Sequence, residues 1–216
     1  MKHSNTVIIN NPALQAMRAM AIGLLDRMEW RHHGIGVLQG YVSEKGEPEV
    51  RLHVWSRRLL KPGMDLSGDV HDHRFDLVSH VLCGAVEHEE MIPVKHRGGD
   101  HAMLTLTHAR AAVETKYHGP TKPLPGRFSV HRERMTIHAG QSYQFPAQMF
   151  HRSPLVGGLD AVAVTVVEKH RQQDVPARLL YPVGKKPVMA FGHDMDQALV
   201  RRVVGLARAR LVRALS

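Results

Sequence analysis

The feature that most constrains this chain is the triplet His71-Asp72-His73, in which one residue separates two histidines. Side chains of a β-strand alternate between its two faces, so both imidazoles would project from the same side. Their ring nitrogens would then be close enough to share one metal ion. The triplet therefore predicts a metal site that takes a further ligand from elsewhere in the chain.

A third histidine lies eighty residues after His71, in a stretch that combines a glycine, a proline and apolar residues. Gly140 predicts a turn, and residues 143–145 predict a strand that leads towards His151. We expect His151 to complete a three-histidine metal site with His71 and His73.

The first of these stretches resembles the first motif of the cupin superfamily. That motif runs His-x-His, three or four residues, a glutamate, six residues and a glycine. His71, His73 and Gly84 fall on the matching positions, whereas Leu77 stands where the family has its glutamate.

The second stretch resembles the second cupin motif, which runs glycine, five residues, Pro-x-Gly, two residues and a histidine. Gly140, Pro146 and His151 fit this pattern, whereas Gln148 replaces the inner glycine. The resemblance covers roughly residues 34–170 and implies a cupin-type barrel.

The resemblance also implies a bound divalent metal ion. Cupin sites combine histidines with a carboxylate, a donor set that suits iron, manganese, nickel or zinc. Because Leu77 cannot bind a metal, the pattern is similar to the three-histidine branch, which includes cysteine dioxygenase and some diketone and gentisate dioxygenases. In those families Fe(II) binds the substrate and dioxygen side by side. The resemblance thus implies an oxidoreductase, an Fe(II)-dependent dioxygenase of a small anionic molecule.

Four further residues are candidates for the site. Arg51, on a preceding strand, can hold a substrate carboxylate through a bidentate pair, and His53 shares its face of the strand. Tyr143 and Gln148 are close to His151 in sequence and can donate hydrogen bonds to a bound molecule, although ordinary strand and turn roles fit them equally. We assign Arg51, His53 and Gln148 to substrate binding and Tyr143 to catalysis.

The direction of the strand predicted over residues 49–57 stays open. Leu52 and Val54 alternate with Arg51, His53 and Trp55, and either face can look into a barrel.

The resemblance to cysteine dioxygenase does not extend to the substrate. The Ser-His-Tyr series that this family carries after its third histidine is absent, since residues 163–168 are nearly all valine and threonine. Asp76 adjoins the missing glutamate position, but alternation directs it to the opposite face unless a bulge intervenes.

The pattern of many short strands separated by turns predicts an all-β antiparallel barrel, a jelly roll or double-stranded β-helix, with flanking helices. We divide this single domain into an N-terminal helical segment (residues 1–33), the barrel (34–192) and a C-terminal basic amphipathic helix (193–216). Residues 12–29 carry apolar side chains at helical spacing and predict a helix packed on the barrel. Residues 119–126 contain three prolines and two glycines, which predict a loop.

The net charge of +9 bears on partners other than a small-molecule substrate. Arginines concentrate in the C-terminal helix, which we expect to pack on the barrel or on a second copy of the chain in a homodimer. A contact with nucleic acid or with a membrane surface is the alternative, and it rests on charge alone because no nucleic-acid-binding motif accompanies the arginines.

The chain lacks the apolar run of ~20 residues that a membrane-spanning helix needs, and we expect no membrane span. Its N-terminus does not follow the plan of a signal peptide, and the single cysteine, Cys83, cannot form an internal disulfide. We therefore expect a cytoplasmic protein.

Two alternatives to a dioxygenase stay open from the sequence. A metal-dependent cupin isomerase or lyase of sugar-type substrates would need no oxygen. A non-catalytic cupin module would bind a ligand or nucleic acid.

Overall fold

The computed structural model describes residues 6–10, 13–33, 35–43, 48–60, 70–106, 121–185 and 196–216. Within them the helices are α1 (Leu14–Leu24) and α2 (Gln197–Leu215). The strands are β1 (Val7–Asn10), β2 (Arg31–His33), β3 (Val37–Ser43), β4 (Glu49–Ser56), β5 (Val70–His71), β6 (Asp76–Cys83), β7 (Ala85–Lys95), β8 (His101–Leu106), β9 (Thr121–His138), β10 (Gln141–Phe145), β11 (Phe150–Arg152), β12 (Val162–His170) and β13 (Ala177–Pro182).

The strands form two antiparallel sheets. The first has seven strands in the order β1-β10-β6-β12-β4-β3-β2, and the second closes on itself in the order β11-β5-β13-β8-β9-β7. The predicted fold class, an all-β antiparallel barrel with N- and C-terminal helices, is confirmed by this arrangement.

The interior between the two sheets is apolar and aromatic. Trp55, Leu77, Tyr143 and Phe145 contribute to it from the seven-stranded sheet, and Val86 contributes from β7 of the closed sheet. The space inside the closed sheet has its own core, which contains Val70, Met91, Met103, Phe150 and Leu180.

The two faces of β4 now have distinct environments. Leu52 and Val54 are fully buried in a cluster with Ala21 of α1 and Val203 of α2, so this face lies under the helices. Alternation then directs Arg51, His53 and Trp55 into the interior between the sheets.

Both helices pack on the outer face of the seven-stranded sheet. At the start of α2, the Asp196 carboxylate accepts a hydrogen bond from the Ala198 amide at 2.8 Å, which satisfies a free N–H of the first turn. The buried side of α2 carries Val200, Val203, Val204, Ala207 and Leu211. None of the helices in the described ranges combines the length and apolar character that crossing a membrane requires.

The prediction of a loop over residues 119–126 is wrong from Thr121 onward, because strand β9 begins there. The part of β9 that contains Pro123 pairs with β8, and the part from Phe128 onward pairs with β7. Proline is compatible with a strand where its missing N–H is not required by a partner. Gly126, at φ +115°, lies where the strand passes from one partner to the other.

Gly84 joins β6 to β7, and we expect Gly84→Ala to destabilise the protein by at least about 2 kcal/mol. Its φ is +75°, and a Cβ there would approach the Val162 carbonyl oxygen to 2.4 Å. Urea unfolding of both proteins would measure the loss. Gly158→Ala is the matched control, since a Cβ at Gly158 meets nothing within 4 Å. Equal losses from the two variants would contradict this account of the turn.

Candidate metal centre

The three histidines predicted as ligands lie together between the two sheets. His71 on β5 and His151 on β11 are directly paired across the strands, and His73 follows β5 by two residues. The ring centroids are 4.8 Å apart for His71 and His73, 4.9 Å for His71 and His151, and 5.0 Å for His73 and His151. One nitrogen from each ring lies within 4.8 Å of the others, a spacing that suits a shared metal ion.

The protonation of these rings also fits a metal. The His151 Nδ1–H donates to the Met149 carbonyl oxygen at 3.3 Å, which leaves Nε2 with the lone pair that a metal needs. Burial, together with the neighbouring histidines, holds the pKa values of His73 and His151 well below the usual range. Both imidazoles are therefore neutral at physiological pH, which is the form that binds metals.

The chain around the histidines is fixed by hydrogen bonds on the side away from them. The Asp72 carboxylate accepts from the Arg178 Nε at 2.6 Å, and the Arg178 guanidinium also donates to the Gln148 carbonyl oxygen at 3.2 Å. The Gln148 backbone N–H donates to the His73 carbonyl oxygen at 2.8 Å. These bonds tie the two histidine-bearing segments to each other and to β13.

The positions that adjoin the missing motif glutamate offer no ligand. Leu77 is buried in the apolar interior at 8% exposure. Asp76 accepts a hydrogen bond from the Ala147 amide at 2.9 Å and lies 3.9 Å from Arg171. Among the described residues, the metal-type cluster consists of the three histidines alone.

Aromatic rings surround the histidine cluster. Phe145 lies 4.3 Å from His151 between ring centroids, and Phe75 stacks on His73 at 4.7 Å. Tyr143 contacts Phe145 at 6.1 Å and His88 at 5.2 Å, so it lies in the layer behind the rings that touch His151. Burial raises the pKa of Tyr143, which is therefore a neutral hydrogen-bond donor.

A second polar group on the interior side of the seven-stranded sheet contains Arg51, Lys169 and Glu49. The Lys169 ammonium lies 2.9 Å from a Glu49 carboxylate oxygen, which also accepts from the Arg51 Nε. Lys169 also lies over the Phe75 ring at 4.4 Å, and Phe75 in turn stacks on His73. Burial, then Arg51, lowers the pKa of Lys169 to about 8. Two cations and one carboxylate therefore lie one aromatic ring away from the histidine cluster.

His53 belongs to the same interior region. Burial lowers its pKa well below the usual value, and the charges of Arg51 and Lys169 lower it further. Its Nε2 is buried and has no hydrogen-bond partner in the structure. A buried polar atom of this kind marks a position where a ligand atom or water can bind.

Gln148 is exposed, and its side-chain amide donates to the Gln173 side-chain oxygen Oε1 at 2.9 Å. Its φ is +64°, a left-handed conformation that glycine adopts most easily, which is the residue that the cupin motif has at this position. Its described contacts serve the turn before His151.

Three functional candidates went unnoticed in the sequence. Lys169 lies next to the last residue of the valine-rich strand β12. By alternation it is on the same face as the inward-pointing side chains, which can be recognised once the direction of β12 is known. His88 and Glu90 lie on β7, in the run of four polar residues Glu87-His88-Glu89-Glu90 of a strand that is otherwise largely apolar. Their relation to His151 depends on strand pairing, which the sequence does not display.

No protein-family model and no curated protein sequence matches this chain. Among solved structures, it is similar to KdgF from Halomonas sp., at 14% identity over 68% of this chain and 92% of that one, with a TM-score of 0.36. It is also similar to an RmlC-like cupin from Shewanella frigidimarina, at 14% identity over 68% and 87% of the two chains, with a TM-score of 0.33. The non-heme alpha ketoglutarate dependent epimerase SnoN gives 12% identity over 89% and 91%, with a TM-score of 0.36. These likenesses are too low to carry an argument about chemistry.

Proposed function

We propose that this chain is a metal-dependent cupin dioxygenase that acts on a small anionic molecule, with Fe(II) held by His71, His73 and His151. The observation that supports this most is the cluster of three imidazoles, with nitrogens within 4.8 Å of one another and no carboxylate among them. Three neutral ligands leave the full charge of the cation, and open positions on it, available to an anionic substrate. Bound iron supplies the activation of both substrate and dioxygen.

The residues around the cluster bind and orient the substrate. Arg51 and Lys169 already hold one carboxylate, that of Glu49, and the same two cations can hold a substrate carboxylate. His53, with its free and buried Nε2, is close enough to these cations for their charges to lower its pKa. A substrate anchored there would extend past Phe75 towards the three histidines.

The interior also restricts water. Phe75 stacks on His73, Phe145 lies tilted against His151, and Tyr143 lies behind them at 3% exposure. An apolar wall of this kind strengthens the electrostatic attraction between a bound anion and the cations that face it. In this proposal the neutral Tyr143 hydroxyl is a hydrogen-bond donor to the bound molecule.

The experiment that tests the proposal is oxygen uptake by protein loaded anaerobically with Fe(II) and supplied with a panel of small carboxylates. We expect uptake that depends on both iron and a carboxylate and that stops when a chelator is added. Turnover without oxygen consumption would support the isomerase or lyase alternative instead and would contradict a dioxygenase.

Arg51→Met provides the test of substrate binding within the same assay. Loss of a charge-assisted pair of about 1.5–3 kcal/mol predicts a KM that is roughly tenfold to a hundredfold higher for the carboxylate. Arg58→Met is the control, because Arg58 pairs with the exposed carboxylate of Asp160. An unchanged KM in Arg51→Met would exclude Arg51 from the substrate site.

A further inference from the structure

Two adjacent glutamates on β7 are buried in opposite environments. Glu89 is fully buried and pairs with Arg134 at 3.1 Å and with Arg152, while Arg132 lies 4.0 Å away. Glu90, at 1% exposure, points to the other face of the strand. The arginines compensate the negative charge of Glu89. Glu90, on the opposite face, lies near the metal centre.

The strand register places Glu90 beside a predicted ligand. Glu90 is the direct antiparallel partner of His151, and paired residues project from the same face with Cβ atoms about 5 Å apart. The neighbouring pair on the opposite face, Glu89 and Arg152, forms an ion pair, which confirms the register at this point.

A second contact shows that this face of β7 is the one that meets the histidine cluster. His88, two residues before Glu90, stacks on His151 at 5.5 Å between ring centroids. The Thr6 hydroxyl lies 3.0 Å from the His88 Nε2 and donates to the Glu90 carboxylate at 3.4 Å. Glu90 therefore belongs to the wall of the same interior space as His151.

The positive charge of a bound metal ion gives a carboxylate at position 90 a function. The cupin motif normally supplies a carboxylate that partly neutralises the metal, and this chain has Leu77 in its place. A divalent ion held by three neutral rings in a buried site carries its full charge, which is costly unless an opposite charge is near. A buried carboxylate on the adjacent strand, facing the same space, reduces that cost.

We propose that Glu90 provides the negative charge that compensates the metal at the three-histidine centre, in place of the glutamate missing at position 77. This inference rests on the proposed function, since it requires a cation at His71, His73 and His151. Glu90 is a positioning residue in this proposal, because it acts on the metal site through its charge and not as one of the three ligands.

The test is the dissociation constant for Fe(II), measured anaerobically by titration of the full-length protein after its metal has been removed. We expect Glu90→Gln, which keeps the size and one acceptor oxygen but removes the charge, to bind Fe(II) about tenfold to a hundredfold more weakly. Glu90→Asp, which keeps the charge, should lie closer to the parent than Glu90→Gln does. A role in packing alone would give the reverse order, since glutamine is the better match in size.

The control is Glu133→Gln, because Glu133 is the partner of Glu90 on β9 and lies one strand further from His151. Its affinity for Fe(II) should stay within about threefold of the parent. Thermal unfolding of each metal-free variant verifies that the fold is kept, and the rise in Tm on adding Fe(II) gives a second readout, which should be smaller in Glu90→Gln.

The outcomes separate this inference from the proposed function. Equal affinity in Glu90→Gln and the parent, with metal lost in His71→Ala, would overturn the role of Glu90 and leave the three-histidine centre in place. Failure of the parent itself to bind Fe(II) would overturn both.

Discussion

His151→Ala is expected to lose the metal that the parent protein retains through purification. Structural metal sites with four ligands contribute about 10–16 kcal/mol, or roughly 3 kcal/mol per ligand, so removal of one histidine should weaken binding by a factor on the order of 10²–10³. Metal analysis of protein purified without added metal would measure this directly. His71→Ala should give the same result, because His71 and His151 lie on paired strands and share the site.

His138→Ala is the matched control for these variants. His138 is an exposed histidine at the end of β9, so its removal tests whether metal content depends on histidine number or on the cluster. Full metal content in His151→Ala, in protein with an unchanged circular dichroism spectrum, would contradict the assignment of the centre.

Acid is expected to destabilise the metal-free protein strongly, starting below about pH 6.5. Burial lowers the pKa of His88 from 6.5 to about 4, and burial also lowers those of His53, His73 and His151. Above pH 6.5 these rings are neutral in both states, whereas between pH 6.5 and 4 the unfolded chain binds protons that the folded chain does not. The free energy of unfolding therefore decreases as the pH is lowered through this window. His88 alone accounts for a loss of about 2 kcal/mol at pH 5.

Urea unfolding at pH 7.5 and at pH 5 would measure this loss. In His88→Phe, which keeps a ring beside Tyr143 and Phe145, the difference between the two pH values should shrink by the same ~2 kcal/mol. A difference that is identical in the parent and in His88→Phe would mean that His88 does not titrate as its burial requires.

The part of the site that was predictable from sequence is the part encoded by short-range spacing. One intervening residue places His71 and His73 on the same side of the chain, and the glycine, proline and histidine of the second motif fix the turn and strand around His151. The strand pattern likewise predicted the barrel, since period-two alternation and turn residues are local signals.

The rest depends on pairing between distant strands. His88 and Glu90 face the centre because β7 pairs with β11, and Lys169 lies opposite Glu49 because β12 pairs with β4. Which face of β4 points into the interior was likewise not predictable from the sequence, because either face could look into a barrel. The packing of the helices against Leu52 and Val54 decides it. The start of β9 at Thr121 was predicted as a loop because of its prolines and glycines. Its pairing with β8, which makes it a strand, cannot be seen in the local sequence.

The shortness of strand β5 affects the stability of the closed sheet. It contains only Val70 and His71, and it lies between β11 and β13 in the closed sheet, so few backbone hydrogen bonds secure it there. A cation bridging His71 and His151 would fasten β5 to β11 as a cross-link does, and at a free concentration 100 times the Kd it would add about 2.7 kcal/mol to the free energy of unfolding. Metal supply would then affect the stability of the closed sheet as well as the occupancy of the site.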